Sequence, residues 1–313
     1  MVNMKIAVLG SNGFVGSNVS EFLKTCNVDF QTLAGKAQAD LRKQAEAKNF
    51  FDQVKPDVVI NCAAHVGSLN YVTEKAADVI LDNSQMILNM YQAIASTNHQ
   101  AIVINPIANC AYPAKADTFL EDHWWDGHLH RSVLSYGSTR RLLWSVGESF
   151  AMQYGVRSIN LLVPNMYGPF DSTDPNKAHA LNALVSKFVK AEKNQAKYIE
   201  IWGTGIAIRE WLYAKDFARA VYLILQNPTM IGLSEPVNIA QNFGLSVREL
   251  VQIIHSHFSN KFEIKWNANM PDGAPKKVMD DNRFKKVFKQ FQFTSFDEGV
   301  KQTIQYYRSI YPY

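Results

Sequence analysis

Two stretches of this 313-residue chain combine residues whose types and spacing suit chemistry. In Ser135-Tyr136-Gly137-Ser138-Thr139-Arg140, a tyrosine is followed after three residues by a basic side chain. A phenol has a pKa near ~10, so a nearby cation matters if it is to exchange protons at neutral pH. Arg140 brings a permanent charge and several donors but does not give up a proton. The second stretch is Gly10-Ser11-Asn12-Gly13-Phe14-Val15-Gly16, spaced G-x-x-G-x-x-G. The first glycine permits a tight turn, the second lets the backbone approach a pyrophosphate, and the third allows close helix–strand packing. A helix N-terminus directly after it attracts the negative charge. Such a loop between a strand and a helix predicts a dinucleotide site. NAD sites usually place Asp or Glu at the end of the second strand. Leu33-Ala34-Gly35-Lys36 has no carboxylate, and Lys36 can meet a 2′-phosphate. NADP(H) is favoured over NAD(H); a solvated loop lysine is the alternative reading of Lys36.

These residues need a frame to hold them. Compact apolar runs at Lys5–Leu9, Phe30–Leu33, Asp57–Asn61, Ala101–Asn105 and Ser158–Val163 read as strands. They are continuous rather than alternating, which predicts burial on both faces of a parallel sheet. Helical spacing over 14–24, 75–98 and 136–154 lies between them. Strand–helix alternation predicts a doubly wound, Rossmann-type α/β fold. After Pro164 the segments become mixed, with a helix near 178–194, a strand at 199–202, and a last helix near 296–310. Ser246 and Glu249 form a capping box opening a helix at 247–258. The expected organisation is a nucleotide-binding lobe over 1–166, joined again by 208–240, and a smaller mixed α/β substrate lobe from 167–207 and 241–313. A length of 313 residues suits two lobes of ~150 each.

The hydrophobic fraction of 47% and charged fraction of 19% are ordinary for a globular chain. A net charge of +4, with its cations dispersed, gives no support to nucleic-acid or membrane-surface binding. Cys26, Cys62 and Cys110 are far apart and lack CxxC spacing, so neither a disulfide framework nor structural zinc is expected. His123, His128 and His130 lack the companions of a metal site, and no metal is expected. The short apolar start is too small for a signal-peptide core, and no run approaches the ~20 residues of a membrane span. A cytoplasmic location is expected.

The glycine loop, Tyr136 and VPNMYGP (163–169) together resemble the extended short-chain dehydrogenases/reductases, the NAD-dependent epimerase/dehydratase family. Within it the resemblance is greatest to the GDP-L-fucose synthases, and it spans nearly the whole chain. NCAYP (109–113), YGSTR (136–140), HALNALVSKF (179–188), IWGTGIAIREWLY (201–213) and PDGAPKKVMD (271–280) carry it. The resemblance implies NADPH-dependent epimerisation at C3 and C5 and reduction at C4 of a GDP-4-keto-6-deoxy sugar. Tyr136 would be the acid at the C4 oxygen. Cys110 and His179 would be the pair that moves protons beside the ketone; a thiol near ~8.5 and an imidazole near ~6.5 suit that exchange. Lys187, Trp202 and Arg209 would hold the nucleotide sugar, with Asn165 and Met166 near the nicotinamide and sugar. The cofactor would meet Gly10, Asn12, Gly13, Phe14, Val15 and Gly16, then Lys36, Asp40, Leu41 and Ala63, and also Tyr136, Arg140 and Asn165. Homodimerisation through helices 75–98 and 136–154 is implied as well, although their apolar residues can equally pack on the sheet. Read alone, Cys110 suits an inert buried position, His179 the surface, and Trp202 the core.

Two positions depart from the family's Ser/Thr–Tyr–Lys triad. Ala108 stands where the serine is expected, and Arg140 where the lysine is. Asn109 is the candidate replacement donor. Three outcomes follow: an adapted epimerase/reductase, an epimerase or reductase alone on a related nucleotide sugar, or a binding protein without turnover.

Overall fold

The computed structural model describes residues 4–116, 118–231, 235–259, 262–270 and 274–313. Of the stretch 271–280, Pro271, Asp272 and Gly273 lie outside the described residues. The first half runs β1 (Ile6–Leu9), α1 (Phe14–Thr25), β2 (Gln31–Leu33), α2 (Gln44–Val54), β3 (Val58–Asn61), α3 (Leu69–Glu74), α4 (Ala76–Thr97), β4 (Ile102–Ala108), α5 (Leu134–Tyr154) and β5 (Arg157–Val163). The second runs β6 (Asn165–Tyr167), α6 (Ala180–Lys193), β7 (Tyr198–Trp202), β8 (Ile208–Tyr213), α7 (Ala214–Gln226), β9 (Val237–Asn238), β10 (Gly244–Ser246), α8 (Val247–Ser256), β11 (Glu263–Asn267), β12 (Lys276–Lys277), α9 (Asn282–Val287) and α10 (Phe296–Ser309).

The central sheet has the order β2-β1-β3-β4-β5-β9, with every pairing parallel. All four residues of β1 and of β3 are buried, as strands covered on both faces must be. One face packs on α2, α4 and α5 through Phe51, Tyr91 and Trp144. The other packs on α1 and α7 through Val19, Phe217 and Val221, and α9 adds Phe284 to that cluster. This is the doubly wound arrangement. A third apolar cluster joins α6, α8 and α10 through Phe188, Leu250 and Ile304.

The strand expected to stop at Asn105 continues to Ala108 through Pro106. Pairing with β3 ends at Ile104, whereas pairing with β5 continues to Ala108. The proline's missing N–H therefore falls where β3 no longer runs alongside. This extension carries the chain to the site. The capping box is present: Ser246 Oγ accepts from the Glu249 amide, and Glu249 accepts from the Ser246 amide at 2.7 Å. A smaller sheet sets β8 between β10 and β12 and also pairs it with β6. No helix among the described residues is long and apolar enough to cross a membrane.

Candidate active site

The glycine loop has the shape of a phosphate cradle. Gly10 takes φ +66°, and a Cβ there would lie 2.8 Å from the Cys62 carbonyl oxygen and the Ala63 Cα. A Cβ on Gly16 would lie 2.1 Å from the Gly10 oxygen. These two glycines are required by the fold itself. Gly13 differs: among the described residues a Cβ there would meet only the Gly10 oxygen, at 3.3 Å. The protein leaves the space before Gly13 open. Asn12 is exposed beside it, and Val15 is half-buried. Helix α1 begins at Phe14 without a side-chain cap, so its first amides and its positive dipole end suit an anion. The residues present fit a dinucleotide pyrophosphate.

At the end of β2, Lys36 is exposed, and no described carboxylate lies within ion-pair distance of it. Asp40 is buried and held by Arg42, whose guanidinium keeps its carboxyl down at about 2. Arg42 also binds Asp82, and Asp82 receives the His65 ring at 2.9 Å. Leu41 is buried, its carbonyl accepting from Asn89 at 2.9 Å.

Beyond Ala108, a 3-10 turn at Asn109–Ala111 presents Cys110 to α5. The helix approaches closely because Gly137 has no side chain; a Cβ there would sit 3.1 Å from the Cys110 oxygen. Tyr136 and Arg140 stand one helical turn apart, with the Arg140 Cζ 4.9 Å from the Tyr136 ring centroid. Arg140 is only 3% exposed. Its Nη2 donates to Asn83 Oδ1 at 3.2 Å, and its Nε has no partner among the described residues. Asn83 is pinned in turn: its Oδ1 accepts from the His65 amide, and its Nδ2 donates to the His65 and Val79 carbonyls. Burial pushes the Tyr136 phenol up, Arg140 opposes this, and Cys110 adds to it. Burial also raises the Cys110 thiol, against the pull of Lys277 and Arg140.

No hydroxyl stands at Ala108. Ser135 is committed to the Val72 carbonyl at 3.0 Å. Asn109 is buried, and its Nδ2 has no partner among the described residues. Such an orphaned donor is costly unless something else satisfies it.

His179 is the N-cap residue of α6. Its Nδ1 lies 3.0 Å from Asp171 Oδ1, and its amide donates to Asp171 Oδ2 at 2.8 Å. Burial works to raise the Asp171 carboxyl, but hydrogen bonds from His179 and Asn182 outweigh it and leave it lowered. A carboxylate at Nδ1 fixes the ring and leaves Nε2 for proton exchange. The imidazole packs on Phe14, with centroids 5.0 Å apart.

Lys187, from α6, donates to the Glu200 carbonyl at 2.8 Å, and Trp202, at the end of β7, is 55% exposed. An exposed tryptophan offers a flat face for stacking. Arg209, on β8, donates to the Ile208 carbonyl. Met166 is buried, and Asn165 Nδ2 donates to the Glu210 carbonyl at 3.2 Å.

Asp171, Asn83, Glu210 and Lys277 were not singled out by sequence. Asp171 sits eight positions before His179, and Asn83 lies on a different helix from Arg140. Glu210 is 1% exposed and accepts the Gln241 and Met279 amides at 2.7 and 2.8 Å. Lys277 enters the cavity beside Cys110. Trp124 and Trp125, adjacent in sequence, differ: Trp124 is fully buried against Tyr112 and Trp144, whereas Trp125 is half exposed. Arg141 ties their segment to α5 by donating to the Ala111, Gly127 and Trp124 carbonyls. Among the described residues, no group of three His, Cys, Asp or Glu side chains could hold a metal.

The family model described as "NAD dependent epimerase/dehydratase family" matches residues 6–240. The chain belongs to that family. Among its epimerase/dehydratase relatives, GDP-L-fucose synthase 1 of Arabidopsis thaliana is 29% identical over 304 residues, 97% of this chain and 93% of that protein. GDP-L-fucose synthase of Escherichia coli K12 is 26% identical over 98% of this chain and 97% of its own. GDP-L-colitose synthase of Yersinia pseudotuberculosis is 26% identical over 97% and 98%. The crystal structure of a GDP-L-fucose synthetase from Naegleria fowleri shares the fold, with a TM-score of 0.88 at 24% identity over 99% of this chain and 95% of that one.

Proposed function

We propose that this protein is an NADPH-dependent epimerase and reductase of an NDP-4-keto-6-deoxy sugar, with a GDP-linked substrate favoured by its likeness to GDP-sugar enzymes. One observation carries the reading: the proton-handling groups form two separate sets. Cys110 and Tyr136 meet where the turn after β4 faces α5, and His179, braced by Asp171, packs on Phe14 at the end of the glycine loop. A 4-keto group acidifies the hydrogens at C3 and C5. Cys110 and His179 then remove and return protons on opposite faces, and Tyr136 protonates O4. NADPH, when bound, supplies hydride to C4. Arg140 sets the field at Tyr136, and the unpartnered Asn109 amide serves the reacting oxygen in place of a serine hydroxyl. Lys36 is the cation for a 2′-phosphate, with the Asp40–Leu41 segment and Ala63 beside the cofactor. Lys187, Trp202 and Arg209 hold the nucleotide sugar, with Asn165 and Met166 at its reacting end.

The same reading divides the chain into a cofactor lobe of 1–166 with 208–240 and a substrate lobe of 167–207 and 241–313. It places the protein in the cytoplasm as a homodimer. Ile80, Leu81 and Leu88 on α4 and Met152 and Tyr154 on α5 are exposed apolar residues suited to such a contact.

The test is incubation with GDP-4-keto-6-deoxymannose in D₂O, with and without NADPH. Deuterium at C3 or C5 without NADPH reports epimerisation, and NADPH oxidation reports reduction. Ala108 favours a second reading, epimerisation without reduction, which predicts deuterium without NADPH oxidation. Neither signal across a panel of 4-keto nucleotide sugars would remove both readings.

A further inference from the structure

The second lobe brings an amine to the thiol. Strand β12 pairs in parallel with β8, placing Lys277 level with Arg209. Side chains level with each other on neighbouring strands share a face. Lys277 therefore enters the cleft from the wall that carries Arg209. It lines a small cavity together with Asn109 and Cys110 from the end of β4. Lys277 is half-buried, and among the described residues no carboxylate lies within ion-pair distance of it. A lysine withdrawn from water without an acidic partner is costly to keep charged. Burial accordingly lowers the amine; Cys110 acts to restore its charge, and Arg209 acts against it. Among the described residues, the charged and titratable groups around Cys110 are Lys277 and Lys276 from β12, Tyr136 and Arg140 from α5, Tyr112 just beyond the turn, and His130 before that helix.

We propose that Lys277 is a positioning residue for proton transfer, its ammonium stabilising the Cys110 thiolate so that the thiolate serves as the base beside the sugar ketone. The assignment of Cys110 as that base rests on the function proposed above. In the step, a C–H bond next to C4 breaks and an S–H bond forms at Cys110. The C–H electron pair becomes the enolate, with its charge at O4. Lys277 keeps its proton throughout and acts by charge alone. His179 returns a proton to carbon on the opposite face, and solvent resets both groups.

The proposal is tested without any sugar. Iodoacetamide alkylation of Cys110 is followed by peptide mass spectrometry from pH 6 to 10 in the wild type, Lys277→Met and Lys277→Arg. Lys277→Met moves the midpoint up by about one pH unit or more, and Lys277→Arg restores most of the wild-type profile. Alkylation of Cys26 and Cys62 stays unchanged in both, reporting an intact fold. Thiolate absorbance near 240 nm, taken as the difference from Cys110→Ser, yields the midpoint without a reagent. An unchanged midpoint in Lys277→Met overturns the proposal, including the case in which only KM for the nucleotide sugar rises because the amine serves the diphosphate. Failure of the D₂O incubation with a shifted midpoint would instead count against the proposed function.

Discussion

The guanidinium of Arg140 lies over the ring of Tyr136 and is braced from behind by Asn83. An arginine so held gives the phenol a fixed cation without a transferable proton. Lysine at this position could not both reach Asn83 as a planar fork and lie flat over the ring. Arg140→Met is expected to slow NADPH oxidation by roughly 10²-fold, on the scale of losing one electrostatic stabiliser. Arg140→Lys should leave the rate unchanged or lower. A large gain in Arg140→Lys would show that the arginine is an impaired substitution rather than an adapted one.

Asp171 holds Nδ1 of His179 and leaves Nε2 as the nitrogen for the proposed exchange. Asp171→Asn offers the ring an amide that can donate as well as accept, so the useful tautomer is no longer enforced. Deuterium incorporation at C3 and C5 should fall by roughly 10² or more, the scale of a lost general acid–base. Binding of the nucleotide sugar, measured by calorimetry, should change little. Equal losses in binding and exchange would point to a collapsed loop instead.

The three loop glycines separate fold from ligand. Gly16→Ala drives a Cβ into the Gly10 carbonyl and should cost at least about 1–3 kcal/mol of stability. Gly13→Ala has only one contact to relieve and should melt within a few degrees of the wild type. Its NADPH dissociation constant should nonetheless rise by roughly tenfold or more, because the added methyl occupies the phosphate's space. Unchanged NADPH affinity in Gly13→Ala would place the pyrophosphate elsewhere.

Glu210 gives a stability signature in pH. Burial raises its carboxyl to about 7, despite the amides of Gln241 and Met279 that favour the charged form. Between the unfolded value near 4.5 and about 7, the folded chain holds a proton that the unfolded chain has released. Stability attributable to this group is therefore greatest below about 4.5 and falls as pH rises to about 7, by up to about 3 kcal/mol. The difference in Tm between the wild type and Glu210→Gln, followed from pH 5 to 8, should show this slope. A flat difference would mean the carboxylate is already ionised when folded.

Much of this was legible in sequence because it is local. The Gly10–Gly16 spacing, the buried runs at β1, β3 and β4, and the capping box at Ser246 each depend on residues a few positions apart. The supports of the site do not. Asn83 and Arg140 are 57 positions apart, and only the packing of α4 on α5 joins them. Lys277 comes level with Arg209 only through the register of β12 on β8, a pairing two residues long and without a periodicity of its own. Glu210 read as one residue of a matching stretch; its burial appears only when three separate segments close over β8. Sequence thus pointed to groups suited to chemistry but gave little sign of the groups that hold them.

The contact between Phe14 and His179 also bears on order. Phe14 is the first residue of the helix whose amides suit a pyrophosphate, and its ring supports the imidazole. On the proposed function, the pyrophosphate and the imidazole thus lean on one residue, so the order of the cofactor loop and the order of the proton donor are a single property.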